Sequence, residues 1–390
     1  MTQTLTPLEL MTKLISFPTV SRDSNLPLID WVEEYLNSHG ITCHRYYDDT
    51  EGRIVEKAAL FAHVGPEVEG GLVLSGHTDV VPIDGQPWDT DPWTVSEKDG
   101  KYYGRGTCDM KGFDALAIWA LVEAQKRGVK RPLQIALSFD EEIGCTGAPP
   151  MIDRILEVLP KASAVIVGEP SMMQAVTGHK GGRGWLTHVE GFEVHSSILH
   201  TGANAIIYGA KLIDWANQMN AENMAKEPSE TAAMFDPPFT TVHVGMIEGG
   251  TAHNITAKDC RFGVDFRVVP GEDPGEWGER YFAKVREVEA EMQAVVPQTA
   301  IHLDQRFNVP PLVPEDDGEA ETLVRQITGD NASHKVSYGT EAGQFQERGY
   351  SAVICGPGDI AQAHQPNEFC TIEQFNAGHV FMEKLLERLG

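Results

Sequence analysis

Apolar residues in the first half of the chain come in short, nearly unbroken runs: AALFAHV at 58–64, GLVLSG at 71–76, PLQIALSF at 132–139 and SAVIVG at 163–168. Each is bounded by glycine, proline or charge. Such runs predict strands covered on both faces rather than half-exposed ones. Between them, FDALAIWALVEAQKRG places Phe113, Leu116, Ala117, Ala120, Leu121 and Ala124 at helical spacing, and Gly128 follows as a stop. Strands separated by such helices predict an α/β fold, a largely parallel mixed sheet with helices on both faces.

After about residue 180 the pattern changes. GWLTHVEG at 184–191 alternates, a helix is predicted over 203–219, and strands follow at 240–247 and 260–269. A second helix carries Trp277, Tyr281, Val285, Val288 and Met292 along one stripe, and a strand near 299–303 closes the set. The order β-α-β-β-α-β predicts an inserted ferredoxin-like α+β unit. GHKGGRG reads as the linker entering it and NVPPLVPEDDG as the linker leaving it. Beyond residue 312 the first pattern resumes, with SAVICGPG (351–358) as a buried strand and a helix over 372–388. The expected organisation is a first domain segment 1–179, an insert 180–306 and a second segment 307–390.

Composition narrows the classes. The chain has 390 residues, 41% hydrophobic and 23% charged, with a formal net charge of −26. That charge opposes binding to nucleic acid or to an anionic membrane. No apolar run is long enough to span a bilayer, and the opening MTQTLTPLELMTKLISFPTV has no basic region leading into an apolar stretch. Six scattered cysteines without a Cys-x-x-Cys pair suit reduced thiols, so a cytoplasmic location is expected.

The candidate chemistry lies where predicted strands end. His77 and Asp79 follow GLVLSG, Asp109 opens the helix after GRGTC, and Glu141 and Glu142 follow LQIALSF. Glu169 ends AVIVG, and His364 lies beyond SAVICG. In an open parallel sheet the carboxyl ends of the strands share one edge, where ligands bind. Two histidines with several carboxylates suit zinc or a similar ion better than calcium. More than three ligands, with one aspartate able to bridge, favour two ions about 3.5–4 Å apart. Asp79 is placed to accept the second ring N–H of His77. Side-chain alternation lets one of Glu141 and Glu142 ligate while the other handles protons; a solvated strand end is the alternative for that pair.

HTDVVP, GRGTCDMKG, FDEEIGCTGA, GEPSM, GHKGG and AHQPNEF, in this order, resemble the zinc amidohydrolase family. That family includes acetylornithine deacetylase, succinyl-diaminopimelate desuccinylase, aminoacylase and glutamate carboxypeptidase. The resemblance runs through nearly the whole chain and is nearest to the acetylornithine deacetylase branch, from which Ser171 and Asn367 depart. It implies two zinc ions per subunit, with Co2+ as a substitute: one held by His77, Asp109 and Glu169, the other by Asp109, Glu142 and His364. It further implies Asp79 as the orienter of His77, Glu141 as general base, and an insert that acts as a lid and joins a homodimer.

In the family the histidine matching His195 reaches the partner's active site; a loop residue binding backbone is the alternative. Arg267 in VDFRVVP resembles a clamp for the substrate carboxylate, with a surface arginine as alternative. Asn254 in AHNIT resembles a substrate-touching lid residue. Gly339, Thr340 and Glu341 in YGTEAG resemble a substrate-facing turn, or else a helix N-cap followed by an acid. The implied reaction is deacetylation of N2-acetyl-ornithine in arginine biosynthesis. The alternatives are another N-acyl amino acid or dipeptide substrate and, more distantly, a metal-stabilised scaffold without turnover. Retention of Glu141 speaks against the scaffold.

Overall fold

The structure, a computed structural model, describes residues 4–50 and 52–390. The chain divides into two units. The first comprises residues up to Gly178 with Pro314–His334 and Thr340–Gly390; the second comprises His179–Val313 with Lys335–Gly339.

The first unit is built on an eight-stranded mixed sheet. Its order is Cys43–Tyr47, Ala58–Val64, Leu133–Ser138, Leu72–His77, Ala164–Pro170, Ser351–Gly356, and then two short strands, Val176–His179 and His334–Val336. The four strands from Leu133–Ser138 to Ser351–Gly356 are mutually parallel, and antiparallel pairs flank them. Leu72–His77, Leu133–Ser138 and Ala164–Pro170 are buried at every position, as their unbroken apolar runs require. The helix Lys111–Arg127 is apolar on most sides because it packs on the sheet and is itself covered by the helices Pro7–Ile15 and Ile372–Leu389. Gly128 ends it in the left-handed conformation, at φ 70°. A small antiparallel sheet joins Ser96–Lys98, Lys101–Tyr103 and Phe369–Thr371.

The second unit is an antiparallel sheet ordered Thr241–His243, Asp259–Val268, Gly181–Glu190, Ala300–Val309, with Ile247–Gly249 also paired to Asp259–Val268. With the helices Ala205–Ala225 and Pro274–Val295 this is the ferredoxin-like connectivity. Every member of the stripe Trp277, Tyr281, Val285, Val288 and Met292 is buried.

Three expectations need correction. GHKGGRG is largely strand rather than free linker: Val176–His179 ends in it, Gly181 starts the next strand, and Gly182 and Gly184 pair with both neighbouring strands. A Cβ on Gly184 would lie 2.3 Å from the Phe307 ring, so glycine is what lets that ring seat on the strand. The expected boundary after residue 306 falls inside the strand Ala300–Val309, and the second unit continues to Val313. The single strand expected at 240–247 is two, Thr241–His243 and Ile247–Gly249. All six cysteines are free. Among the described residues, no helix is long and apolar enough to cross a membrane.

Candidate metal centre

Parallel pairing brings the carboxyl ends of Leu133–Ser138, Leu72–His77, Ala164–Pro170 and Ser351–Gly356 to one edge. His77 is the last residue of its strand and Glu169 lies in Ala164–Pro170. Glu141 and Glu142 stand just past Leu133–Ser138, and Asp109 lies two residues before the helix Lys111–Arg127. His364 follows a short turn beyond Ser351–Gly356, at φ 63°.

Asp109 lies between the two imidazoles. Its Oδ1 is 3.0 Å from His77 Nε2 and its Oδ2 is 3.2 Å from His364 Nε2. His77 Nε2 is also 3.7 Å from Glu169 Oε1, and His364 Nε2 is 2.8 Å from Glu142 Oε2. All the residues expected to hold metal therefore meet in one cluster. Glu141 belongs to it as well, with a carboxylate oxygen within 4.8 Å of ligand atoms of His77 and Glu169.

Asp79 has a different place from the expected one. His77 Nδ1 is 2.9 Å from the backbone carbonyl of Asp79 and 3.7 Å from its carboxylate. The carboxylate instead accepts the backbone N–H of Glu141 at 3.2 Å, that of Glu142 at 3.3 Å, and the Ser21 hydroxyl at 2.6 Å. Residue 79 thus orients the imidazole through its carbonyl, while its side chain fixes the segment that carries both glutamates.

The electrostatics are those of a site short of positive charge. Burial opposes charge on His77, yet the hydrogen bond to Asp109 and the charges of Glu169 and Glu141 hold its pKa well above the usual value. Burial would raise Asp109, but hydrogen bonds from His364 and His77 keep it well below the ordinary range. Burial and the neighbouring Asp109 push Glu142 up to about 8. Burial, Asp109 and Glu141 put Glu169 well above the ordinary range. Glu141 is raised by burial, against the His77 charge, and by Asp109 and Asp79. His364 is lifted to about 10 by its hydrogen bonds to Asp109 and Glu142.

A metal pair fits these residues. Glu142 Oε1 and Glu169 Oε1 are buried without a hydrogen-bond partner, a costly state that a cation relieves. The bridging candidate already offers one oxygen to each histidine, and the mixed nitrogen and carboxylate set suits zinc-like ions.

The other expected residues are not ligands of the cluster, although Glu341 lies near enough to feel the charges of Glu141, His77 and Asp79. Thr340, buried one residue before the N-cap Glu341, accepts on Oγ1 the N–H of Ala342, the first residue of the helix Ala342–Glu347, at 3.1 Å. Glu341 is also buried, with Oε1 bonded to the Ser138 hydroxyl. The remainder lie in the second unit, among them Gly339, where a Cβ would meet Val309 at 3.2 Å. Exposed His195 and Asn254 are brought together there: Ser196 N–H donates to the Asn254 carbonyl at 2.9 Å, and His195 bridges Ile255. Arg267 projects from the half-exposed face of Asp259–Val268, 3.3 Å from Asp265. Glu368 and Arg105, a fully buried ion pair, escaped the sequence reading. Their signal was an acid and a base inside two of the motifs, AHQPNEF and GRGTCDMKG.

Residues 73–388 match the profile described as peptidase family M20/M25/M40. The chain belongs to this family. It is a hydrolase, and the family works with bound metal. An acetylornithine deacetylase of Myxococcus xanthus is 36% identical over 368 residues, 93% of this chain and 92% of that one. One from Pasteurella multocida is 32% identical over 385 residues, 97% of each. Among solved structures, an M20 family metallo-carboxypeptidase from Sulfolobus solfataricus superposes with a TM-score of 0.78 at 18% identity, covering 98% of both chains. A dinuclear metal-binding peptidase of the family from Bacillus subtilis gives 0.60 at 14%, covering 98% of this chain and 97% of that one.

Metal ligands must be unprotonated, so uptake by the metal-free protein at neutral pH must expel the protons held among His77, Glu142, Glu169 and His364, all raised from their ordinary values. Calorimetry in buffers of different ionisation enthalpy is expected to show net proton release on binding, with affinity rising as the pH is raised through the neutral range. Proton-neutral uptake would place the ions elsewhere.

Proposed function

We propose that this hydrolase is a dizinc amidohydrolase that deacylates N-acyl amino acids, N2-acetyl-ornithine foremost, yielding ornithine for arginine biosynthesis. The catalytic reading is carried by the division between the paired glutamates. Glu142 faces His364, whereas Glu141 Oε1 accepts from the Cys145 thiol at 3.2 Å. The names and near-full-length identity of the curated relatives support the substrate.

When bound, the metal pair polarises a carbonyl and makes water acidic. His77, Asp109 and Glu169 would hold one ion, and Asp109, Glu142 and His364 the other. Glu141 takes the proton of the attacking water and delivers it to the leaving nitrogen, a task for which a burial-raised carboxyl is suited. Asp79 keeps Glu141 in place through its amide. Arg267 captures the free α-carboxylate by its planar fork. Asn254, Gly339 and Thr340 line the substrate, Thr340 with its hydroxyl already engaged by the Ala342 N–H. The second unit joins two subunits, a role supported by exposed Leu199, Ile206, Ile207, Met246 and Ile247.

The test is acid release from a panel of N-acyl amino acids, their carboxamides and dipeptides, before and after Arg267→Met. Cleavage of N2-acetyl-ornithine is expected, with the substitution raising KM about 10–100-fold for acids and leaving the poor carboxamides nearly unchanged. Cleavage of dipeptides alone would replace the substrate assignment. Equal loss on acids and amides would make Arg267 structural.

A further inference from the structure

Asp109 and His364 reach the cluster from widely separated segments, and neither stands in regular secondary structure. His364 also occupies a left-handed backbone conformation that a side-chain-bearing residue adopts at a cost. Something outside the cluster must hold both backbones to the tolerance that a coordination site needs, about 0.5 Å.

Glu368 is only 1% exposed and follows His364 by four residues. Its Oε1 accepts three backbone N–H groups from the segment that delivers Asp109: Gly106 at 3.0 Å, Cys108 at 2.9 Å and Asp109 itself at 3.1 Å. Its Oε2 accepts from Arg105 Nη1 at 2.6 Å. Buried Arg105 turns its other nitrogen, Nη2, to Gln86 Oε1 at 2.5 Å. Gln86 Nε2 in turn donates to the His364 backbone carbonyl at 3.0 Å. The path closes into a ring: His364 carbonyl, Gln86, Arg105, Glu368, and back along the chain to residue 364. A backbone cradle shaped for an anion is filled by an anion of the same chain.

We propose that the Glu368–Arg105–Gln86 ring is a positioning device that sets the separation of Asp109 from His364, and thereby the affinity of the ion held by Asp109, Glu142 and His364. These three residues touch neither metal nor substrate; they act through the backbones of two ligands. Glu368 serves the Asp109 side, through amides. Gln86 serves the His364 side, through a carbonyl. The inference rests on the metal reading above.

Stepwise zinc or cobalt titration of the metal-free protein tests it, read by calorimetry and by the visible absorption of cobalt. Gln86 is only half-buried, so Gln86→Ala removes the link to His364 without opening the core. Gln86→Glu keeps an acceptor for Arg105 while losing the donor to the His364 carbonyl. In both, the second binding step is expected to weaken about 10–100-fold, with the first changed less than about 3-fold. The metal-free melting temperature should stay unchanged. Glu368→Gln is expected to give the larger loss, and if it fails to fold, the two Gln86 variants decide. His364→Ala is the control and should abolish the second step. If it does so while both Gln86 variants bind normally, the proposal is overturned and the metal reading stands. Equal weakening of both steps also overturns it, since the ring would then support the fold at large. If His364→Ala retains both steps, the metal reading fails and the proposal falls with it.

Discussion

Exchange of Glu141 for glutamine is expected to lower kcat by about 10²–10⁴-fold while both metal equivalents stay bound. Glutamine has the same shape and still offers an oxygen to the Cys145 thiol, which lies 3.2 Å from the native carboxylate. Its amide cannot accept the proton of the attacking water. The neighbouring exchange, Glu142→Gln, should act differently. Glu142 Oε2 lies 2.8 Å from His364 Nε2 and its Oε1 is buried without a partner, so its loss weakens one ion. Activity of that variant should recover as metal is added in excess, whereas Glu141→Gln should not respond. Metal analysis of dialysed protein beside kcat separates the two cases. Equal metal loss in both variants would sink the division of labour.

His195→Ala is expected to lose about 100–1,000-fold in kcat with metals and oligomeric state intact. The imidazole is exposed, and its Nδ1 receives the backbone N–H of Ser197 at 3.2 Å. With Nδ1 accepting, the neutral ring carries its proton on Nε2, the tautomer that presents a donor outward. A preorganised donor of that kind stabilises the oxyanion of a tetrahedral intermediate by about 2.7–4 kcal/mol. The histidine is proposed to serve the partner's site in a homodimer. Mixing His195→Ala with Glu141→Gln subunits should then restore activity, because one site of each mixed dimer holds both intact residues. Mixed dimers that form yet stay inactive would confine His195 to its own subunit or to no catalytic role.

Strands buried on both faces are legible in the sequence because most of their positions take apolar side chains or glycine, as in Leu72–His77 and Leu133–Ser138. The edge strand Cys43–Tyr47, CHRYY, is half-buried over its first four residues, exposed at Tyr47, and carries no such pattern. Glycine likewise hides the start of Gly181–Glu190, ahead of the alternation that begins at Gly184, because Gly181 and Gly182 register no hydropathy. For the site, the residues that converge are legible because a parallel sheet gathers its strand ends on one side. The work of Asp79 and Glu368 is not. Both act on backbone amides, and hydrogen bonding to main chain leaves no trace in residue type. Thr340 shows the opposite failure, since a hydroxyl before a helix reads equally well as a cap or as a ligand contact.

The Ala164–Pro170 strand has its parallel neighbour in Ser351–Gly356, and the whole second unit is encoded between them. Synthesis runs from the amino end at roughly 5–20 residues per second, so this central edge lacks its native partner for roughly 10–40 s on the ribosome. All four clustered carboxylates and His77 already exist during that interval, whereas His364 does not. The insert can fold locally while the surrounding sheet waits. Completion of the centre therefore waits on the synthesis of His364, and a chain released before Ser351–Gly356 leaves one side of the largely apolar Ala164–Pro170 strand without its partner and open to other polypeptides.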